Sequence, residues 1–145
     1  MRLKRCAILS SLAEEDRDVL DSLLEEIDLE AGEPLFQEGD ESDGLVLVEH
    51  GALRLESRRV PQAGTLGPGG DLGALSLIAL GTREVTAVAS EPTRVLLLTR
   101  SAFLRLADDA PRAGARLLEA VLAETASLVR QGLDRIAPTE EGPSA

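Results

Sequence analysis

The residue types that most often carry catalysis or bind metals are scarce in this chain. His50 is the only histidine and Cys6 the only cysteine, so a Cys/His metal site and a Cys–His nucleophile both lack partners. His50 lies between Glu49 and Gly51, which is typical of a turn at a strand end. A hydrolase with paired carboxylates stays open as an alternative, but no spacing selects a pair. We therefore predict no catalytic residues, no metal site and a protein that is not an enzyme.

Two loops resemble ligand-binding motifs only in part. Counted from Asp40, a calcium-binding EF-hand loop needs glycine at position 6 and glutamate at position 12, where this chain has Leu45 and Gly51. The glycine-rich segment 66–73 has Leu72 at the last glycine position of a dinucleotide fingerprint. The first loop is therefore predicted to be a hairpin turn, and the second is neither a dinucleotide-binding loop nor a P-loop.

Charge and composition argue against several partners. The net charge is −11, and the 145 residues include two Phe but no Tyr or Trp. Nucleic-acid backbones and anionic membranes repel such a surface, and bases find few aromatic faces to stack on. Arg54, Arg58 and Arg59 lie close together, either as an anion contact or as exposed strand-end side chains. With no leader sequence and no apolar run of ~20 residues, we predict a cytoplasmic protein without membrane contact or direct DNA binding.

The chain changes its pattern twice, and this order of elements predicts the architecture. A helix is predicted over Leu12–Ile27, with Ser11 and Glu14 at the spacing of a capping box. Short runs of strand character separated by Gly and Pro follow. They are Pro34–Gln37, Gly44–Glu49, Ala52–Ser57, Ala63–Leu66, Arg83–Ser90 and Thr93–Leu98. A sandwich, barrel or roll is therefore predicted.

The last third of the chain is predicted to be helical. Ser101 is the expected N-cap of a short helix over Ala102–Ala107, and Pro111 suits the first turn of a longer helix. We predict a flexible N-terminus over residues 1–10, one domain over 11–137 and a disordered tail over 138–145.

Three motifs, in order, resemble the cyclic-nucleotide-binding domain family. The first is Phe36-Gln37-Glu38-Gly39-Asp40, the second runs from Leu66 to Leu75, and the third runs from Ser76 to Thr86. The resemblance extends over about Leu12 to Leu133. It implies a mainly β fold with flanking α-helices: a double-stranded β-helix (β-roll or jelly roll), as in catabolite activator proteins and kinase regulatory subunits. An N-terminal helix and a C-terminal helix of the dimerisation type would flank the roll.

The resemblance also implies a site for cAMP or cGMP. The ligand-binding positions would be Gly73, Ala74, Leu75, Ser76, Arg83, Glu84, Val85 and Thr86. A short helix over Leu75–Ala79 would offer its N-terminal N–H groups to the cyclic phosphate, and Arg83 would pair with that phosphate. Two positions depart from the family pattern: Ala74 replaces a glutamate that accepts from the ribose, and Glu84 replaces a small residue.

These departures leave two functions open. The first is a regulatory module with a degenerate pocket, in which Glu84 or another carboxylate neutralises Arg83. This module acts on an unknown protein partner or as a homodimer through the 112–136 helix. The stripe on that helix contains Leu118, Val121, Leu122, Thr125, Leu128, Val129, Gly132 and Leu133, and it either covers its own domain alone or also binds a partner. The second function is a sensor of a cyclic nucleotide or another small anion. Too few residues follow Ile136 for a helix-turn-helix domain.

Overall fold

The computed structural model describes residues 2–59 and 64–141, and within them antiparallel strands form a roll between helices. One sheet has the strand order β1-β10-β4-β7, a second has the order β2-β9-β5-β6, and β3 pairs with β8. The strands are β1 (Glu25–Leu29), β2 (Pro34–Phe36), β3 (Glu41–Ser42), β4 (Gly44–His50), β5 (Leu53–Glu56), β6 (Gly64–Leu66), β7 (Asp71–Leu72), β8 (Gly81–Thr82), β9 (Thr86–Ala89) and β10 (Thr93–Thr99). The predicted β-roll with flanking helices is confirmed.

The helices lie at the two ends of the chain. They are α1 (Glu14–Asp21), α2 (Arg100–Asp109) and α3 (Pro111–Glu141), and a short 3-10 helix spans Ala74–Leu77. Pro111 begins α3 as predicted. The N-cap of α2 is Thr99 and not Ser101, because the Thr99 hydroxyl accepts from the Ala102 N–H at 3.1 Å. No helix in these described ranges has the length and hydropathy needed to cross a membrane.

The central strand β4 separates two apolar clusters. Its side chains alternate between the sheet faces, so Leu45 and Leu47 pack toward the helices while Val46 and Val48 lie between the two large sheets. Leu117 and Val121 of α3 join the first cluster and are fully buried. The first half of α3 is therefore fixed on the roll.

The N-terminal region differs most from the prediction. The helix predicted over Leu12–Ile27 is shorter: α1 ends at Asp21, and Ile27 lies in β1, paired with Val95. Ala13 is its N-cap, without a side-chain cap, so the predicted capping box is wrong. Strand pairing prevails because it fills the edge of the first sheet beside β10.

Residues 2–9 also contradict the predicted flexible N-terminus. They form two short 3-10 helices, and Leu3, Cys6 and Leu9 are buried in the first cluster. Arg2 adds ion pairs to Asp21, Glu26 and Glu49.

At the other end, the backbone of α3 remains helical through Glu141, which corrects the predicted disorder from residue 138. Residues 142–145, like Ala63 at the start of one predicted strand, lie outside the described residues.

Candidate functional site

A cavity of about 230 Å³ opens between the 3-10 helix, the segment 82–85 and α3. This volume is well above the ~10–15 Å³ that one water needs. The predicted site residues that line it are Gly73, Ala74, Leu75, Ser76, Arg83, Glu84 and Val85. Thr86, the remaining predicted residue, is not among the lining residues; its hydroxyl accepts from the Glu38 N–H at 2.9 Å.

Arg83 is held in the cavity wall by its backbone. Its N–H donates to the Asp40 carbonyl at 2.7 Å, and its carbonyl accepts from the Gly39 N–H at 2.8 Å. The tight turn at Gly39, with φ of 94°, therefore fixes where the arginine side chain begins. This contact explains physically why the first and third motifs occur together.

The Arg83 side chain is almost completely buried, with 8% of its surface exposed. Its guanidinium lies over the Phe36 ring, 4.3 Å from the ring centroid, and Nη1 donates to the Gly44 carbonyl at 3.3 Å. The cation–π stacking and the hydrogen bond to the Gly44 carbonyl orient the guanidinium. They leave most of its five N–H donors available for another acceptor.

No carboxylate of the described residues lies within 4 Å of the Arg83 guanidinium, so within these ranges Arg83 is a buried cation without a salt bridge. The hypothesis that Glu84 neutralises it is wrong: Glu84 is exposed and forms no ion pair with it in this part of the chain. Burial lowers the pKa of Arg83, and the more distant charges of Asp43 and Asp40 act against that shift.

The 3-10 helix approaches Arg83 through a glycine. Gly73 caps the helix with φ of 81°, and a Cβ there would collide with Arg83 Nη1 and lie 2.9 Å from the Gly44 carbonyl oxygen. The helix spans Ala74–Leu77 and not the predicted Leu75–Ala79. Its Ser76 hydroxyl is buried against the Ser42 hydroxyl in a hydrogen bond, which ties the helix to β3.

A carboxyl pair completes the cavity wall on the side of α3. Asp71 of β7 and Glu124 of α3 both line the cavity, and their carboxyl groups can form a side-chain hydrogen bond when one of them is protonated. Burial, that hydrogen bond and the neighbouring negative charge raise the pKa of Glu124 to about 8. Burial also raises the pKa of Asp71. The two groups therefore share one proton near neutral pH.

Several lining residues were not predicted from the sequence as ligand-binding positions. They are Phe36, Ser42, Asp71, Leu72, Thr82, Glu124, Thr125 and Leu128. Asp71 and Phe36 lie inside quoted motifs, but Glu124 and Thr125 lie far along the chain on the final helix. The apolar stripe on that helix indicated contact with the roll without indicating which polar positions turn inward.

An antiparallel roll, flanking helices and a cavity with a buried arginine define the class of β-roll regulatory domains. The family model for the cyclic nucleotide-binding domain matches residues 26–110, which is more than half of the chain. The chain belongs to the cyclic nucleotide-binding domain family.

Similar proteins contain this domain within longer chains. The cyclic AMP receptor protein of Thermus thermophilus is 34% identical over 108 residues, which is 72% of this chain and 50% of that protein. Lysophospholipase nte1 of Aspergillus fumigatus is 35% identical over 96 residues, 63% of this chain but only 6% of that protein. The chain thus spans from a small part to half of the length of these relatives.

A solved structure with a similar fold is the N-terminal domain of a transcriptional regulator from Streptomyces coelicolor. The TM-score is 0.78 at 26% identity, covering 88% of this chain and 94% of that chain. This comparison confirms the roll together with its flanking helices.

Proposed function

We propose that this chain is a regulatory module whose cavity binds a small phosphate-bearing anion, with cAMP and cGMP as the first candidates. The observation that carries the proposal is the buried Arg83 guanidinium, which lines the cavity and forms no salt bridge with the described residues. A buried charge without a partner is unfavourable, and an anionic ligand would remove that cost. The similarity to a protein named cyclic AMP receptor protein supports the same ligand class.

The two departures from the family pattern have unequal consequences for this proposal. Ala74 is buried beside the cavity, so a ribose hydroxyl placed there loses a charged hydrogen bond of ~1.5–3 kcal/mol. Glu84 is exposed, and solvent screens its repulsion of a phosphate. The expected affinity is therefore reduced, because one hydrogen bond is missing, but it is not abolished.

Calorimetric titration with cAMP and with cGMP, each taken to millimolar concentration, tests the proposal. If an intact pocket binds near 1 µM, the loss at Ala74 corresponds to a Kd of about 10–100 µM. Binding in this range supports a sensor. Absence of heat up to millimolar ligand contradicts the proposed cyclic-nucleotide sensor and leaves the regulatory module with a degenerate pocket.

A second candidate function, dimerisation through α3, is supported by the two faces of that helix. Ala113, Leu117 and Val121 face the roll and are fully buried. Leu122 and Val129 lie on another face and are more than half exposed. Together with Leu118, Thr125 and Gly132, they follow the alternating spacing of four and three residues that forms a coiled-coil seam.

We expect the double substitution Leu122→Glu and Val129→Glu to convert a dimer to monomer. Four buried carboxylates at a helix seam would raise the dimer dissociation constant by about 100-fold or more. Analytical ultracentrifugation across a concentration series measures the change. Ser127→Glu is a matched control, since Ser127 is exposed on α3 but lies ~140° around the helix from Leu122. A monomeric wild-type chain at all concentrations contradicts this function.

The remaining expectations from the sequence stay predictions. They are a cytoplasmic location, an unidentified protein partner and the lack of direct DNA binding. Between the roll and Glu141, the described residues form α2 and α3 and no further domain.

A further inference from the structure

The side of α3 that faces the roll changes character halfway along the helix. Ala113, Leu117 and Val121 are fully buried against the roll. The next positions of the same series are Glu124 and Leu128, and Leu128 is 62% exposed. Glu124 is therefore the last residue of this series that anchors α3 on the roll.

The space on both sides of Glu124 is open. On one side lies the cavity with Arg83, and on the other lies a second cavity of about 360 Å³ between α3 and the N-terminal segment. Asp71 and Glu124 line both cavities. The carboxyl pair thus lies between the two cavities, where open space adjoins α3 on both sides.

We propose that the Asp71–Glu124 pair is a proton-dependent latch that holds the C-terminal half of α3 against the β-roll. With one shared proton, the two carboxyl groups form a hydrogen bond between β7 and α3. With both groups ionised, they repel each other at close range in a partly buried site. The inference requires no bound ligand, so it does not depend on the function proposed above.

The surrounding charges do not neutralise the pair. The titratable and charged groups on the elements packed around it are Cys6, Glu49, Arg83, Glu84 and Glu119. Burial, with the negative charges of Asp71 and Glu49, raises the pKa of the Cys6 thiol to about 11, so that thiol is neutral. The cation, Arg83, responds to Asp43 and Asp40 and not to this pair.

The direction in which pH shifts the docking of α3 depends on whether the docked or the undocked helix binds the proton more tightly. The docked helix holds it on Glu124 with a pKa of about 8, against an ordinary value of 4.5 once the helix is undocked. Below both values Glu124 is protonated in either state, and docking is strongest. Between these two pKa values, each pH unit raises the equilibrium constant for undocking of α3 by up to about tenfold. Above pH 8 the effect levels off.

Amide hydrogen exchange of the ligand-free chain tests the latch. After correction for the intrinsic exchange rates, protection of the amides of residues 122–134 should fall by up to about tenfold per unit between pH 6 and 8. Glu124→Gln keeps a hydrogen-bond donor but cannot ionise, so its protection should not vary with pH. Asp71→Asn should move the pH-dependent range lower, because Glu124 loses its negative neighbour.

Glu119→Gln provides the matched control, since Glu119 lies on the same helix at the second cavity and should leave the pH dependence unchanged. Two results would overturn the latch: flat protection in the wild-type chain, or an unchanged slope in Glu124→Gln. If Glu124→Gln does not fold, carboxyl-carbon NMR titration of the wild-type chain decides. A Glu124 pKa near 8 supports the latch, and a value below about 6 overturns it.

Discussion

Arg83→Gln should weaken the binding of a phosphate-bearing ligand by about 10- to 100-fold, the effect of losing one charge-assisted hydrogen-bonding group of ~1.5–3 kcal/mol. Glutamine retains an N–H donor but is shorter than arginine and has no charge. Arg83→Lys should give an intermediate loss, because an ammonium lacks both the bidentate fork and the planar stacking on Phe36. Calorimetric titration of each variant with cAMP and cGMP measures these differences.

The stability of the ligand-free variant distinguishes a ligand-binding arginine from a structural one. Because Arg83 is buried and forms no salt bridge with the described residues, removing its charge should leave the free energy of unfolding unchanged or increase it. If Arg83 had a structural role, replacing it would instead destabilise the roll by several kcal/mol. Urea unfolding followed by circular dichroism reports this free energy, and a large loss in Arg83→Gln would contradict the assigned role.

Arg54→Gln is the control for this comparison. Arg54 lies on β5 and is not among the residues that line the cavity; it is exposed and pairs with Glu56 at 2.9 Å. Exposed ion pairs contribute only ~0–1 kcal/mol. The Arg54→Gln substitution should therefore change neither ligand binding nor stability measurably. A loss of affinity in this variant would show that the net charge of the chain, and not the cavity, governs binding.

The roll was predictable because its signals are local. Glycine turns between short apolar runs give the strands, and the motif spacing places Arg83 beside the 3-10 helix. The start of α3 at Pro111 is equally local, since proline suits the first turn of a helix. Such features depend on neighbouring residues and are therefore readable from the sequence.

The features that were wrong or missing depend on contacts between distant segments. Ile27 fits the apolar spacing of the preceding helix, yet its pairing with Val95 places it in β1. Leu3 is in a segment with basic neighbours, yet it is fully buried. Asp71 and Glu124 meet only because α3 returns across the roll, and no spacing along the chain indicates such a pair.

Gly73→Ala should destabilise the chain by about 2–4 kcal/mol and also weaken ligand binding, since a residue with a Cβ disfavours φ of 81° by ~1–2 kcal/mol. The added Cβ would also lie 2.9 Å from the Gly44 carbonyl oxygen and collide with Arg83 Nη1. The guanidinium is the mobile partner, so it should move away from Phe36 and lose the orientation that a phosphate requires. Urea unfolding and calorimetric titration measure the two effects.

Two other glycines separate the causes of that loss. Gly39 has φ of 94°, but no atom lies within 4 Å of a Cβ added there. Gly39→Ala should therefore lose only the ~1–2 kcal/mol of stability that the backbone conformation costs. Gly81→Ala has open space and no positive φ, so its stability should hardly change. If the collision with Arg83 is real, Arg83→Gln should recover part of the stability lost in Gly73→Ala, because glutamine is shorter. Equal losses with and without Arg83 would show that backbone conformation alone requires glycine at position 73, and that the arginine does not depend on it for its position in the cavity.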